Sequence, residues 1–158
     1  MIKLVPPRPR VVGTKRNFAI VASLYNTTYV QGLVDHATAE IRAVMPGAVI
    51  TLYQVPGAFE IPVVVRELAL QKKADAVLAL GVILQGDTAH AEHLARSVTD
   101  ALQRIALDYG VPVINAVLSM EDEAQARARC LEDGINRGTE AARAAIEIAN
   151  VISELRPK

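Results

Sequence analysis

Two periodicities alternate along this chain, and together they predict its architecture. Short runs dense in Ala, Val, Ile and Leu are each followed by stretches in which apolar residues recur every three or four positions. The first pattern is that of strands buried on both faces, and the second that of amphipathic helices. The run FAIVAS at 18–23 predicts a strand that leads to Asn26. Thr27 or Thr28 is then placed to cap a helix whose inner stripe is Val30, Leu33, Val34, Ala37 and Ile41. Pro46-Gly47 ends it, and 48–55 is a second strand. After Pro56-Gly57, a helix opening at Glu60 continues through Val64, Leu68 and Leu70, with Pro62 tolerated in its first turn. The third strand, 76–84, is the most continuously apolar of the set. A helix from about His90 to Tyr109 follows and stops at Gly110. A fourth strand at 111–118 precedes two closing helices, 121–130 and 136–155, separated by a turn at Gly134.

Strands of this kind, interleaved with helices, require a parallel sheet covered on both faces. Right-handed crossovers leave few arrangements. The expected fold is α/β, a flavodoxin-like three-layer α/β/α sandwich with a four-stranded parallel sheet in the order 2-1-3-4. The segment before Phe18 stands apart, because Pro6, Pro7 and Pro9 disfavour a regular strand. Residues 1–17 therefore read as an arm lying on the surface or on a neighbour, and 18–158 as one domain without repeats or linkers.

Charge and cysteine usage narrow the partners. Seventeen basic side chains balance seventeen acidic ones, so no basic excess is available for a phosphate backbone, and nucleic acid is not an expected partner. Cys130 is alone, which precludes an internal disulfide and fits a reducing compartment. The N-terminal segment carries Lys3, Arg8, Arg10, Lys15 and Arg16 and lacks the apolar centre of a signal peptide. No apolar run has the length of a membrane span. The expected location is the cytoplasm, away from membranes.

In open parallel sheets, ligands bind beyond the carboxyl ends of the strands, where the strand order reverses. The segments at those ends (23–26, 55–60, 83–90 and 117–120) carry more Gly, polar and aromatic residues than turns require. Gly86-Asp87-Thr88 precedes a helix start, where converging amides and the helix dipole favour an anion and Thr88 adds a hydroxyl. The same residues also read as an ordinary helix cap, and the Asp87 charge opposes an anion unless it points away. His90, in the first turn, reads as a proton shuttle or as an exposed histidine. His93 follows one turn later, but no third ligand is near, and no metal is expected. His36 is mid-helix and structural or solvent-exposed. Glu123 is spaced to pair with Arg127, whereas Arg129 reads as a surface partner of Asp133 or as a guanidinium clamp on phosphate. Arg137 and Glu140 are spaced to pair with each other. Tyr25 is either a core aromatic or a platform for a flat heterocycle, and Cys130 reads as a small buried residue.

Taken in order from about 18 to 155, these segments resemble the lumazine synthase family. The landmarks are FAIVASLYN at 18–26, VPGAFEIP at 55–62, GVILQGDTAH at 81–90, QARAR at 125–129 and NRGTEAA at 136–142. The resemblance implies condensation of 5-amino-6-ribitylamino-2,4-pyrimidinedione with 3,4-dihydroxy-2-butanone 4-phosphate. The products are 6,7-dimethyl-8-ribityllumazine, phosphate and water, and no cofactor is needed. By the same resemblance His90 is the proton-transfer residue and Arg129 pairs with the substrate phosphate. Tyr25 stacks on the pyrimidine, with Asn26 beside it in the same substrate-binding segment. Ala58, Phe59 and Glu60 hold the ribityl chain, Gly86, Asp87 and Thr88 match the phosphate loop, and Leu84 and Gln85 are further substrate-binding positions. Arg137 and Glu140 match a Lys/Glu pair, and Asn115 matches a position that reaches the neighbouring subunit's site. Gln85 stands where many members carry arginine, Asn115 where phenylalanine is common, and Arg137 where lysine is usual. The resemblance further implies a pentamer, a decamer or a sixty-subunit shell with sites shared between subunits, and riboflavin synthase as a candidate partner. The alternative is a lumazine- or flavin-binding or shell-forming protein of the same fold without turnover.

Overall fold

A strand as apolar as Ala76–Leu84 has no face to turn to water. In the computed structural model, which describes residues 5–11 and 15–157, it lies at an inner position of the sheet and is buried along almost its whole length. Among the described residues the sheet has four parallel strands. β1 (Asn17–Ser23) and β3 (Ala76–Leu84) are central, and β2 (Val49–Val55) and β4 (Val113–Met120) are the edges, giving the order β2-β1-β3-β4. Ile20 stands beside Leu52 on one side and Leu78 on the other. The strand order fixes the layers. The step from β1 to β2 goes one way, and the steps to β3 and β4 go the other. Right-handed crossovers therefore put α1 (Thr27–Val44) on one face, and α2 (Ile61–Gln71) and α3 (His90–Tyr109) on the opposite face. α4 (Glu123–Cys130) and α5 (Arg137–Leu155) close over the α1 face.

Two cores result. Ile20, Leu33, Ile41, Leu78, Leu80 and Ile146 fill the α1/α5 side, and Val21, Ile61, Val65, Val77 and Leu102 fill the α2/α3 side. The contact of α1 with α5 is close because α5 presents Gly138, Ala141, Ala142, Ala145 and Ala149 to the interior. A Cβ at Gly138 would collide with the Leu33 carbonyl, so that crossing admits no larger residue without a backbone shift.

Most element bounds follow the hydrophobic pattern to within a residue or two, and each larger departure has a physical reason. Neither Thr27 nor Thr28 caps α1. The capping position is Asn26, in the left-handed conformation at φ 59° and ψ 43°. Its side chain leaves the helix amides alone and donates to the Val82 carbonyl at 2.7 Å, tying the end of β1 to β3. Thr27 lies inside the helix, with its hydroxyl on the Leu24 carbonyl. β4 begins at Val113 instead of 111 because Pro112 has no N–H for the ladder. Its carbonyl still accepts from the Val77 amide at 2.9 Å. At the other end β4 runs past Leu118 to Met120, opposite Leu84. Glu60 closes a single 3₁₀ turn, Ala58–Glu60, and is at the same time the capping position of α2, which begins at Ile61. α4 starts at Glu123, with the Asp122 carboxylate accepting from the Gln125 amide at 2.9 Å. Gly110, at φ 66°, ends α3 as the pattern requires.

Residues 5–11 have no regular secondary structure and lie on α1 and α5 of the same chain. Of the rest of the expected arm, 1–4 and 12–14 lie outside the described residues, and Asn17 belongs to β1, paired with Val49, not to the arm. The contact centres on Glu40, buried in α1. Arg8 donates to both its carboxylate oxygens at 3.1 Å, and Arg143 donates through Nε at 2.5 Å. Arg143 also reaches the Pro6 carbonyl, and the Asn150 amide donates to the Arg10 carbonyl at 2.9 Å. Burial by itself would raise the Glu40 carboxyl, but the hydrogen bonds and charges of Arg8 and Arg143 outweigh it and hold the group below its ordinary value. Its stabilising contribution is thus complete above the ordinary Glu pKa and is lost as pH falls through the lowered folded value. Glu40→Gln should cost about 2–4 kcal/mol at pH 7. In denaturant titrations the gap between variant and wild type should narrow below about pH 4.3. A gap that widened on acidification would refute this reading.

Candidate active site at the strand switch point

The reversal of direction beside β1 leaves a crevice at the carboxyl ends of β1, β2 and β3, and the sequence places its least hydrophobic turns there. Tyr25 follows β1 and is 67% exposed, so it belongs to no core. The Tyr25 amide donates to the Pro56 carbonyl at 3.0 Å, and the Leu24 amide to the Val55 carbonyl at 2.8 Å. These bonds join the end of β1 to the turn after β2. In that turn Ala58 is buried, Glu60 is half-buried and the Phe59 ring is 68% exposed. Asn26, locked to Val82, borders the same crevice.

On the β3 side Leu84 is half-buried and 85–90 are exposed. The Gln85 amide donates to the Met120 carbonyl at 2.9 Å. The Thr88 hydroxyl accepts from the His90 amide at 3.3 Å, which is the local bond expected of a helix start, although the formal capping residue is Ala89. His90 is the first residue of α3, its ring exposed beside the crevice. Gly86 has neither a positive φ nor any atom within 4 Å of where a Cβ would sit. Nothing within the chain therefore demands glycine there, and the space above it is open. Gln85, Thr88, Ala89, Ala91, Glu92, Ala95 and Ser119 line a hollow of about 190 Å³. Ser119, opposite Ile83 near the end of β4, shares that hollow with Thr88.

Asn115, Arg137 and Glu140 do not converge on this crevice within one chain. Asn115 pairs with Ala79 in the ladder, five positions before Leu84 and Met120, which at the rise of a strand is roughly 16 Å from the carboxyl edge. Its side chain donates to the Thr99 hydroxyl at 3.2 Å and accepts from the Val117 amide at 3.1 Å. Arg137 and Glu140 form the expected ion pair in the first turn of α5. They line a shallow hollow of about 80 Å³ at the β4 edge, together with Asn115. Asn136 positions that turn from a fully buried site. Its oxygen accepts from the Gly138 and Thr139 amides at 2.8 and 3.1 Å, and its nitrogen donates to the Glu132 carbonyl at 2.9 Å. Arg129 is half-buried in the last turn of α4. The expected Glu123–Arg127 pair is not among the ion pairs of the described residues. Glu123 instead meets the Tyr29 hydroxyl, and together with burial, the larger effect, it raises that phenol. His36 is structural, with Nε2 at 3.2 Å from the Leu131 carbonyl.

A larger cleft of about 500 Å³ opens at the opposite, amino edge of the sheet, lined in part by Arg16, Lys72, Tyr109 and Arg156. Lys72 and Arg156 stand at the C-termini of α2 and α5, and Arg156 donates to the Gly110 carbonyl at the end of α3, 2.5 Å away. These cations answer helix ends, and the cleft is remote from every candidate residue. No cluster of three or more His, Cys, Asp or Glu side chains arranged for a metal occurs among the described residues. Among them, too, no helix is long and apolar enough to cross a membrane.

The topology and this edge define a class, the flavodoxin-like α/β proteins with a small-molecule crevice at the strand switch point. The sequence model of the 6,7-dimethyl-8-ribityllumazine synthase family matches residues 15–153. The chain is 39% identical to the 6,7-dimethyl-8-ribityllumazine synthase of Paraburkholderia phymatum, over 91% of this chain and 82% of that one. It is 38% identical to the enzyme of that name from Burkholderia multivorans, over 94% of this chain and 84% of the relative. With that of Stenotrophomonas maltophilia the identity is 40%, over 87% and 90%. The chain belongs to the 6,7-dimethyl-8-ribityllumazine synthase family.

Cys130 takes no part in the crevice. It is fully buried, and burial pushes its thiol up to about 11 against the smaller opposing pull of Arg129. The native protein should therefore resist iodoacetamide at pH 8, and the unfolded chain should react at the ordinary rate of a free thiol. Rapid native labelling followed by mass spectrometry would contradict that placement.

Proposed function

We propose that this chain condenses 5-amino-6-ribitylamino-2,4-pyrimidinedione with 3,4-dihydroxy-2-butanone 4-phosphate. The products are 6,7-dimethyl-8-ribityllumazine, phosphate and water, and the site is built from two adjacent subunits. Family membership supplies the reaction class and small-molecule substrates. The observation that carries the assignment to this crevice is the joining of the exposed Tyr25 ring, the Ala58–Glu60 turn and the His90 helix start along one sheet edge. Tyr25 stacks on the pyrimidine beside Asn26. Ala58, Phe59 and Glu60 hold the ribityl chain, with the Glu60 carboxylate accepting from its hydroxyls. The segment from Leu84 to Thr88 receives the phosphate against the first amides of α3, in the manner of anions at helix N-termini.

The reaction is a series of proton transfers with one anionic leaving group. The pyrimidine amine adds to the ketone carbonyl and loses water, giving an imine. Phosphate departs, the resulting enol tautomerises, and the second amine closes the ring with loss of another water. His90 moves protons at the nitrogen and carbon centres, a role that typically contributes about 10²–10⁴-fold. Arg129 and the amides of the Gly86–Thr88 turn take up charge on the departing phosphate. Holding two substrates together supplies much of the remaining acceleration.

Asn115, Arg137 and Glu140 come from β4 and α5, away from the Tyr25–His90 edge of the same chain, and Arg129 comes from α4. That separation supports a site in which one subunit contributes the crevice and the next contributes the cations. The assembly proposed is a pentamer or a multiple of it, in the cytoplasm, with riboflavin synthase as a candidate partner. The segment before Asn17 is proposed as an arm outside the catalytic domain.

The purified protein, given both substrates, should release phosphate and form lumazine in step, above the spontaneous rate. His90→Ala should lower kcat by about 10²-fold. Arg129→Ala should lower kcat/KM for the butanone phosphate by about 10- to 100-fold. Binding of the pyrimidine without phosphate release would instead favour a ligand-binding protein without turnover.

A further inference from the structure

Gly57 lies between two of the groups just assigned to the pyrimidine substrate, and the reason for glycine there is spatial. Its backbone, at φ −135° and ψ 178°, is extended and open to any residue. A Cβ at this position, however, would lie 2.7 Å from both Cδ2 and Cε2 of the Tyr25 ring, closer than any real contact, and 3.4 Å from a Glu60 carboxylate oxygen. The ring rests on the bare α-carbon of Gly57. Its own backbone cannot withdraw easily. The Tyr25 and Leu24 amides are both bonded to the Pro56 carbonyl, at 3.0 and 3.1 Å, and Asn26 is pinned to Val82. A side chain at 57 therefore has to displace the ring, not the strand, and Tyr25, 67% exposed, has room to move.

Resting on the reading above, we propose that Gly57 is a positioning residue that sets the plane of the Tyr25 ring and so the affinity for the flat pyrimidine substrate. It touches neither reacting atom nor phosphate. Filling the space below the ring tilts it away from the orientation in which it stacks, whereas the His90 helix start and the phosphate loop keep their places. Ring stacking depends steeply on such offsets.

The test is steady-state kinetics of Gly57→Ala, with each substrate varied in turn and with thermal unfolding and light scattering as controls for fold and assembly. KM for the pyrimidine amine should rise about tenfold, while kcat and KM for the butanone phosphate stay close to wild type. Tyr25→Ala removes the ring, so adding Gly57→Ala to it should change nothing further. If Gly57→Ala alone does not fold, that double variant carries the test, because with no ring to oppose the methyl it must fold and match Tyr25→Ala. An unchanged pyrimidine KM in Gly57→Ala overturns the proposal. So does a double variant that folds worse than Tyr25→Ala or binds the pyrimidine more weakly. Absence of turnover in the wild type would instead strike at the proposed reaction and leave the contact of ring and glycine to be tested by pyrimidine binding in calorimetry.

Discussion

Everything in this molecule depends on the reversal of chain direction beside β1. The chain leaves β1 toward one edge, returns over it, and continues to the other edge through β3 and β4. Right-handed crossovers then force α1 onto one face and α2 and α3 onto the other, and α5 closes over α1. At the carboxyl end of β1 the outgoing turns part, because their helices lie on opposite sides. Backbone amides, an aromatic ring and a histidine are exposed there at no expense to the core. The side-chain bond from Asn26 to the Val82 carbonyl holds the two halves of that opening in register.

The crevice is rigid where it meets the sheet and open where a substrate would enter. Tyr25 and Phe59 present large apolar surfaces to solvent, which a lone soluble subunit does not ordinarily sustain together without a ligand or partner to cover them. At the β4 edge of the sheet the chain holds a second group, Asn115 with the Arg137–Glu140 pair, set by the buried cap of Asn136 and by the close packing of Gly138 on α1. A heterologous interface between copies, in which one surface meets a different surface of the next subunit, brings such unlike groups together in a closed ring. The proposed shared site is the functional reading of that geometry.

Much of this was legible in the sequence. The bounds of β3 and α3, the strand order and the position of the crevice follow from apolar periodicity and crossover handedness. What periodicity does not carry is the choice among polar partners. Asn26, Thr27 and Thr28 are all competent caps, and only the presence of Val82 across the sheet draws Asn26 away from the helix amides. Glu123 and Arg127 have ideal spacing, but Tyr29 on α1 competes for the carboxylate. Glu40 lies outside the apolar stripe of α1, and its burial follows only from the arm and α5 bringing Arg8 and Arg143 to it. Gly57 reads as a strand breaker, and its steric relation to Tyr25 appears only when both turns are in place. The roles proposed for Tyr25, Arg129 and Arg137 rest on resemblance, since spacing alone leaves each with a plain structural alternative.

The most direct test of the shared site is subunit complementation between two inactive variants. His90→Ala and Arg129→Ala chains, co-expressed in equal amounts and purified as mixed oligomers, should regain lumazine formation. Random mixing across a heterologous interface leaves roughly a quarter of the sites with both residues intact. Activity no higher than that of the two parent variants would contradict the account and place the whole catalytic apparatus within a single chain.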